Sequence, residues 1–93
     1  MRNRAIVLLA YNEEDQIEGL LKQIAPHNDI IAVVDGNDET ANIARPYVNE
    51  ILKGRGKRGY GQALVDGLCH AFAAGYKKAT VMDVGTCSPK YLN

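Results

Sequence analysis

Three carboxylates in this sequence stand where an apolar run gives out. Glu13 follows "AIVLLAYN", Asp35 follows "IIAVV" and Asp83 follows "ATVM". Asn12 and Tyr11 sit directly beside Glu13. Polar groups at the ends of apolar runs can converge on a ligand, because a sheet built from such runs brings its strand ends together. A second feature is Gly54 to Gly61, "GRGKRGYG", with four glycines and three cations, Arg55, Lys57 and Arg58. Guanidinium and ammonium groups beside the amides of a helix N-terminus attract phosphate. The chemistry open to these residue types is therefore recognition of a phosphorylated ligand.

The glycine segment supports three readings. Its first six residues fit G-x-G-x-x-G, the dinucleotide pattern, which requires a buried strand immediately before it. The preceding "YVNEILK" is the poorest strand candidate in the chain, and no G-K-[ST] is present to make a P-loop. The glycines could also serve as a plain connection with solvated cations. In the third reading the cations and the following helix N-terminus draw in a phosphate.

The elements that must position these residues follow from hydrophobic periodicity. Ala5 to Ala10 is a continuous apolar run of strand length, as expected for a strand covered on both faces. Asn12 offers an N-cap, and Glu13, Glu14 and Asp15 place negative charge in a first helical turn. Ile17, Leu20, Leu21 and Ile24 then fall on one helical face until Pro26. Ile30 to Val34 is a second buried strand. A short helix runs from Glu39 to about Tyr47 with Ile43 and Ala44 inward, and Val48 to Leu52 forms a short edge strand. From Gln62 to Tyr76, Ala63, Leu64, Gly67, Leu68, Ala71 and Phe72 line one face of a long helix. Ala79 to Met82 is a fourth strand ending at Asp83. Ser88-Pro89 reads as another helix start.

Strands alternating with helices predict an α/β fold, three layers around a mainly parallel sheet of about four strands in the order 3-2-1-4. Ninety-three residues with 46% apolar content make one domain, 1–93, with a small core. Eleven basic and eleven acidic residues cancel, which leaves no overall footprint for nucleic acid. Cys69 falls in the helical pattern as a small buried residue, and Cys87 falls in a loop; their spacing fits neither a disulfide framework nor a metal motif. His27 and His70 belong to no motif. The apolar run at the N-terminus is too short for a signal sequence or a membrane span, so the chain reads as cytoplasmic, with peripheral membrane association through a partner left open.

Taken in order, the segments resemble the N-terminal half of a family-2 glycosyltransferase of GT-A fold, close to the dolichol-phosphate-mannose synthase branch. "LLAYNEEDQIEGLL" is similar to the family's A-Y-N-E-E opening, and "IIAVVDGNDETANIA" to its V-V-D-D-G-S-x-D-x-T segment. "GYGQALVDGLCHAFAAG" is similar to G-x-G-x-A-x-x-x-G-x-x-x-A, and "VMDVGTCSPKYL" to the region around D-x-D. The resemblance implies a Rossmann-like half-domain that binds a GDP- or UDP-sugar. Ala10, Tyr11, Asn12 and Glu13 would border base and ribose, and Asp35 would bind the base. Asp83 would lie near the ribose and hold a divalent metal, Mg2+ or Mn2+, on the diphosphate. Arg55, Lys57 or Arg58 would add positive charge at the phosphates. A polyprenyl phosphate is the acceptor the branch implies.

The sequence also departs from that pattern. The segment after Asp35 is about two residues shorter than in the family. Gly85 stands where the second carboxylate of D-x-D would be, which weakens the metal site. No residue can be assigned as the base that activates an acceptor, so the chain reads as a truncated half-domain that transfers sugar only if the remainder is supplied. Strand four would have an open edge, expected to be covered by another copy of the chain or by a partner. The rival expectation is a non-catalytic nucleotide-binding or interaction module that keeps the fold.

Overall fold

The structure is a computed structural model, and it describes residues 2–36, 38–54 and 60–85. Strands β1 (Arg4–Tyr11), β2 (Asp29–Asp35), β3 (Glu50–Lys53) and β4 (Lys78–Asp83) alternate with helices α1 (Ile17–Ile24), α2 (Thr40–Ala44) and α3 (Tyr60–Ala73). The sheet order is β3-β2-β1-β4 and every pairing is parallel, as the alternating pattern predicts.

Central β1 shows why its sequence is apolar throughout. Ile6, Leu8 and Ala10 pack with α1 and α2 on one face. Ala5, Val7 and Leu9 pack against α3 on the other. Successive residues point to opposite faces, so a strand covered on both sides needs apolar residues at every position. Leu8, Ile17, Leu20, Leu21, Ile30 and Ile31 are essentially fully buried, each stabilising the fold by about 2 kcal/mol. Between α3 and the sheet, Gly67 allows close approach: a Cβ there would lie 2.4 Å from Val7 Cγ1.

The expected α1 face is borne out, since Ile17, Leu20, Leu21 and Ile24 are all buried. The helix gives way to a 3-10 turn containing Pro26. A second 3-10 turn, Arg45–Tyr47, extends α2 as far as the sequence pattern reached. The long helix spans Tyr60–Ala73, opening ahead of the expected Gln62 and ending ahead of the expected Tyr76.

Three expectations are corrected. Asn12 does not cap α1: its φ is +48°, and the residue before the helix is Gln16, which makes no side-chain cap. Cys69 is exposed rather than buried. Phe72 is 52% exposed, turned away from the sheet that its neighbours Ala71 and Leu68 contact. The physical reason for the last two is that the small sheet covers a narrower arc of α3 than the helix's apolar stripe.

β4 is an edge strand and only partly covered, with Val81 39% exposed. On the opposite face of the sheet a groove of about 440 Å³ runs along β4, floored by Ile6, Ile24 and Met82. Among the described residues no helix is long and apolar enough to cross a membrane.

Candidate functional site

The connections from β1 lead to β2 on one side, whereas β4 lies on the other side of β1. That reversal opens a crevice beyond the carboxyl ends of β1 and β4, where ligands of such sheets bind. Register brings the sequence-predicted residues there: Tyr11 pairs with Asp35, and Leu9 with Asp83. The Val84 amide donates to the Leu9 carbonyl at 3.0 Å and extends the β1–β4 ladder past Asp83.

The loop after β1 leaves the strand through Asn12, whose amide donates to the Asp35 carbonyl at 3.2 Å. Asn12 then takes the left-handed conformation, which asparagine tolerates better than most residues. The Glu13 carbonyl accepts from the Gln16 and Ile17 amides, forming a turn ahead of α1. The loop ahead of α1 is held from α2's side instead. The Glu13 amide donates to Thr40 Oγ1 at 2.9 Å, and the Glu14 amide to Asp38 Oδ2 at 3.2 Å.

Three glycines leave room for the polar side chains of the crevice. A Cβ on Gly36 would lie 2.0 Å from Asn12 Oδ1, and Gly36 is also at φ +106°. One on Gly54 would lie 2.7 Å from Asp35 Cβ. One on Gly85 would lie 3.1 Å from Glu13 Oε1 and 3.4 Å from Asp83 Oδ1. The last pair of contacts shows that the Glu13 and Asp83 carboxylates converge on the Gly85 backbone. Two of the carboxylates also shape their own turns: Asp35 Oδ1 accepts from the Gly36 amide at 2.8 Å, and Asp83 Oδ1 from the Gly85 amide at 2.9 Å.

Electrostatics follow from this crowding. Burial raises the Glu13 carboxyl above its ordinary value, and the charges of Asp83 and then Asp38 raise it further. Asp38 is held below its ordinary value, chiefly by the hydrogen bond from the Thr40 hydroxyl, with the Thr40 and Glu14 amides adding to it. The crevice is thus acidic on the β4 side, an environment that favours a cation.

Asn12, Glu13, Asp35 and Asp83 are brought together, and Tyr11 stands beside them, 39% exposed. Ala10 is buried in the core, so its side chain faces α1 and α2. Arg55, Lys57 and Arg58 lie outside the described residues, as do Cys87 and the helix start at Ser88-Pro89. No group of three or more His, Cys, Asp or Glu side chains able to hold a metal occurs among the described residues. Sequence reasoning missed Asp38 and Thr40, although both stand in the D-x-T of the quoted segment. It also missed the packing roles of Gly36 and Gly54, which no periodicity encodes.

Comparison with curated proteins finds no match, and comparison with solved structures finds none either. The family model described as "Glycosyl transferase family 2" matches residues 5–80, from the first apolar residue of β1 into β4, ending ahead of Asp83. That span takes in β1, the loop after it, the Asp35 turn and α3, and covers well over half of the chain: the chain belongs to glycosyl transferase family 2.

Proposed function

We propose that this chain is the nucleotide-sugar-binding portion of a glycosyl transferase. The ends of β1, β2 and β4 hold the nucleoside diphosphate of a GDP- or UDP-sugar. The observation that carries this reading is the convergence of Glu13 and Asp83 on Gly85, one strand away from Asp35, at the switch point of a family-2 sheet. In it, Asp35 accepts a hydrogen bond from the base, and Tyr11 and Asn12 border base and ribose.

Two converging carboxylates are hard oxygen donors, which suits Mg2+ or Mn2+ bound by one or two carboxylates and completed by phosphate oxygens and water. Asp83, with Glu13 beside it, would hold such an ion. When bound, the ion would neutralise charge on the departing nucleoside diphosphate. The chain's own residues bind and orient the donor; none of those described is assigned as the base for an acceptor. The order of motifs supports a dolichol-phosphate-mannose-like branch with a polyprenyl phosphate acceptor. The uncovered β4 edge supports a second copy or a partner chain that pairs with it.

One observation favours a second reading. Gly85 removes the second carboxylate of D-x-D, as in a module that binds nucleotide without turning it over. Calorimetric titration with UDP-glucose, GDP-mannose and NADH, each with and without Mn2+, tests the proposal. Sugar-nucleotide binding that needs Mn2+ and is lost in Asp83→Ala is expected. NADH binding alone, or binding of none of the three, overturns it.

A further inference from the structure

The amides of Glu13 and Glu14 find their partners far along the chain, 27 and 24 residues away. Thr40 is fully buried, and its hydroxyl makes two bonds: it accepts from the Glu13 amide at 2.9 Å and donates to Asp38 Oδ1 at 2.5 Å. The proton arrangement has one solution. An amide can only donate, so the hydroxyl proton must go to the carboxylate. Asp38 spreads its two oxygens over the same junction, Oδ1 also accepting from the Thr40 amide at 3.1 Å and Oδ2 from the Glu14 amide at 3.2 Å. An acceptor that is itself ionised makes these bonds stronger than neutral ones.

We infer that Asp38 and Thr40 are positioning residues for the nucleotide site. They form a latch that ties the loop after β1 to the start of α2 and so sets where the Glu13 carboxylate stands relative to Asp83. Asn12 leaves the strand in the left-handed conformation, so the loop's direction afterwards is fixed by what holds Glu13 and Glu14. For the two amides that hold is the Asp38–Thr40 pair, beside the turn that the Glu13 carbonyl makes with Gln16 and Ile17. Valine at position 40 would fill the same volume and make neither bond; serine would make both. The inference rests on the nucleotide-binding reading of the crevice.

The test uses Thr40→Val, Thr40→Ser and Asp38→Asn in the full chain. UDP and GDP are titrated with Mn2+ well below each variant's thermal midpoint, and amide hydrogen exchange is followed at Glu13 and Glu14. Thr40→Val is expected to weaken nucleotide binding about tenfold and to speed exchange at both amides. Thr40→Ser is expected to stay within about twofold of the parent, because the hydroxyl bonds remain. A merely structural threonine would lower the midpoint and leave the affinity of the folded protein unchanged, which overturns the proposal. If Thr40→Val does not fold, Asp38→Asn carries the same comparison. If the parent chain binds neither nucleotide, the nucleotide reading fails by itself. The latch is then decided by exchange, and unchanged Glu13 and Glu14 rates in Thr40→Val overturn it.

Discussion

Asp35 and Gly54 are packed side chain against backbone: a Cβ on Gly54 would sit 2.7 Å from Asp35 Cβ and 3.0 Å from its Cγ. The Gly54 amide also donates to the Val34 carbonyl at 2.8 Å, so the backbone at residue 54 is held and cannot simply retreat. Gly54→Ala must therefore push the Asp35 side chain aside. The expected outcome is a nucleotide affinity reduced about tenfold, with a stability loss of about 1–3 kcal/mol from overpacking. Calorimetry and urea denaturation check the two halves, and unchanged affinity would separate Asp35 from the base.

Glu13 supplies a pH test. Its carboxyl is raised by burial and by Asp83 and Asp38, so the folded state holds the proton more tightly than the unfolded chain does. Folding then loses stability as pH climbs from the ordinary value of 4.5 through the raised one. Glu13→Gln removes that loss. Its thermal midpoint should exceed the parent's at neutral pH and match it below the ordinary carboxyl value. A gain of the same size at both pH values would contradict the proximity of Glu13 to Asp83.

Restoring the family's second carboxylate at position 85 should expose the metal site. In Gly85→Asp a third negative charge would arrive where a Cβ already meets Glu13 and Asp83. Without metal the midpoint is expected to fall by about 5 °C, the equivalent of about 1 kcal/mol in a domain of this size. Millimolar Mn2+ should recover the loss by binding the native state. Thermal melts with Mn2+ and with chelator measure this, and a variant no more responsive to Mn2+ than the parent would argue against Asp83 as a ligand.

At the opposite end of the sheet, the Tyr76 hydroxyl donates to Asp29 Oδ2 at 2.7 Å and ties the end of the α3 segment to the start of β2. Burial first, then Asp29, pushes the Tyr76 hydroxyl up to about 12. Asp29 is lowered, chiefly by that same bond. A lowered carboxyl contributes stability above its unfolded value and loses it as pH falls through the folded one. Tyr76→Phe should cost about 1 kcal/mol at pH 7. The cost should shrink once the solution is acidic enough to protonate Asp29, as urea unfolding at the two pH values would show.

The layers, the strand order and the gathering of Asp35 and Asp83 at one end of the sheet were legible because they follow from periodicity and connection rules. β1 needs apolar residues on both faces, and alternating strands and helices dictate parallel pairing. What holds the loop after β1 was not legible, because it comes from Thr40 and Asp38 across tertiary space, while Asn12, the local cap candidate, turns left-handed. Exposed Phe72 and Cys69 were misread for a related reason: helical periodicity gives an apolar stripe but not the width of the surface that will cover it. Glu13 and Asp83 were each visible in the sequence, but their meeting over Gly85 required the β1–β4 pairing.

That pairing also sets a timetable. β1 is made first and β4 is the last strand of the described sheet, yet they are neighbours. β1 can join β2, and Thr40 can take the Glu13 amide, without any part of β4 in place. The approach of Glu13 to Asp83 must wait for that last strand, so the acidic side of the crevice is the final part of the described sheet to form.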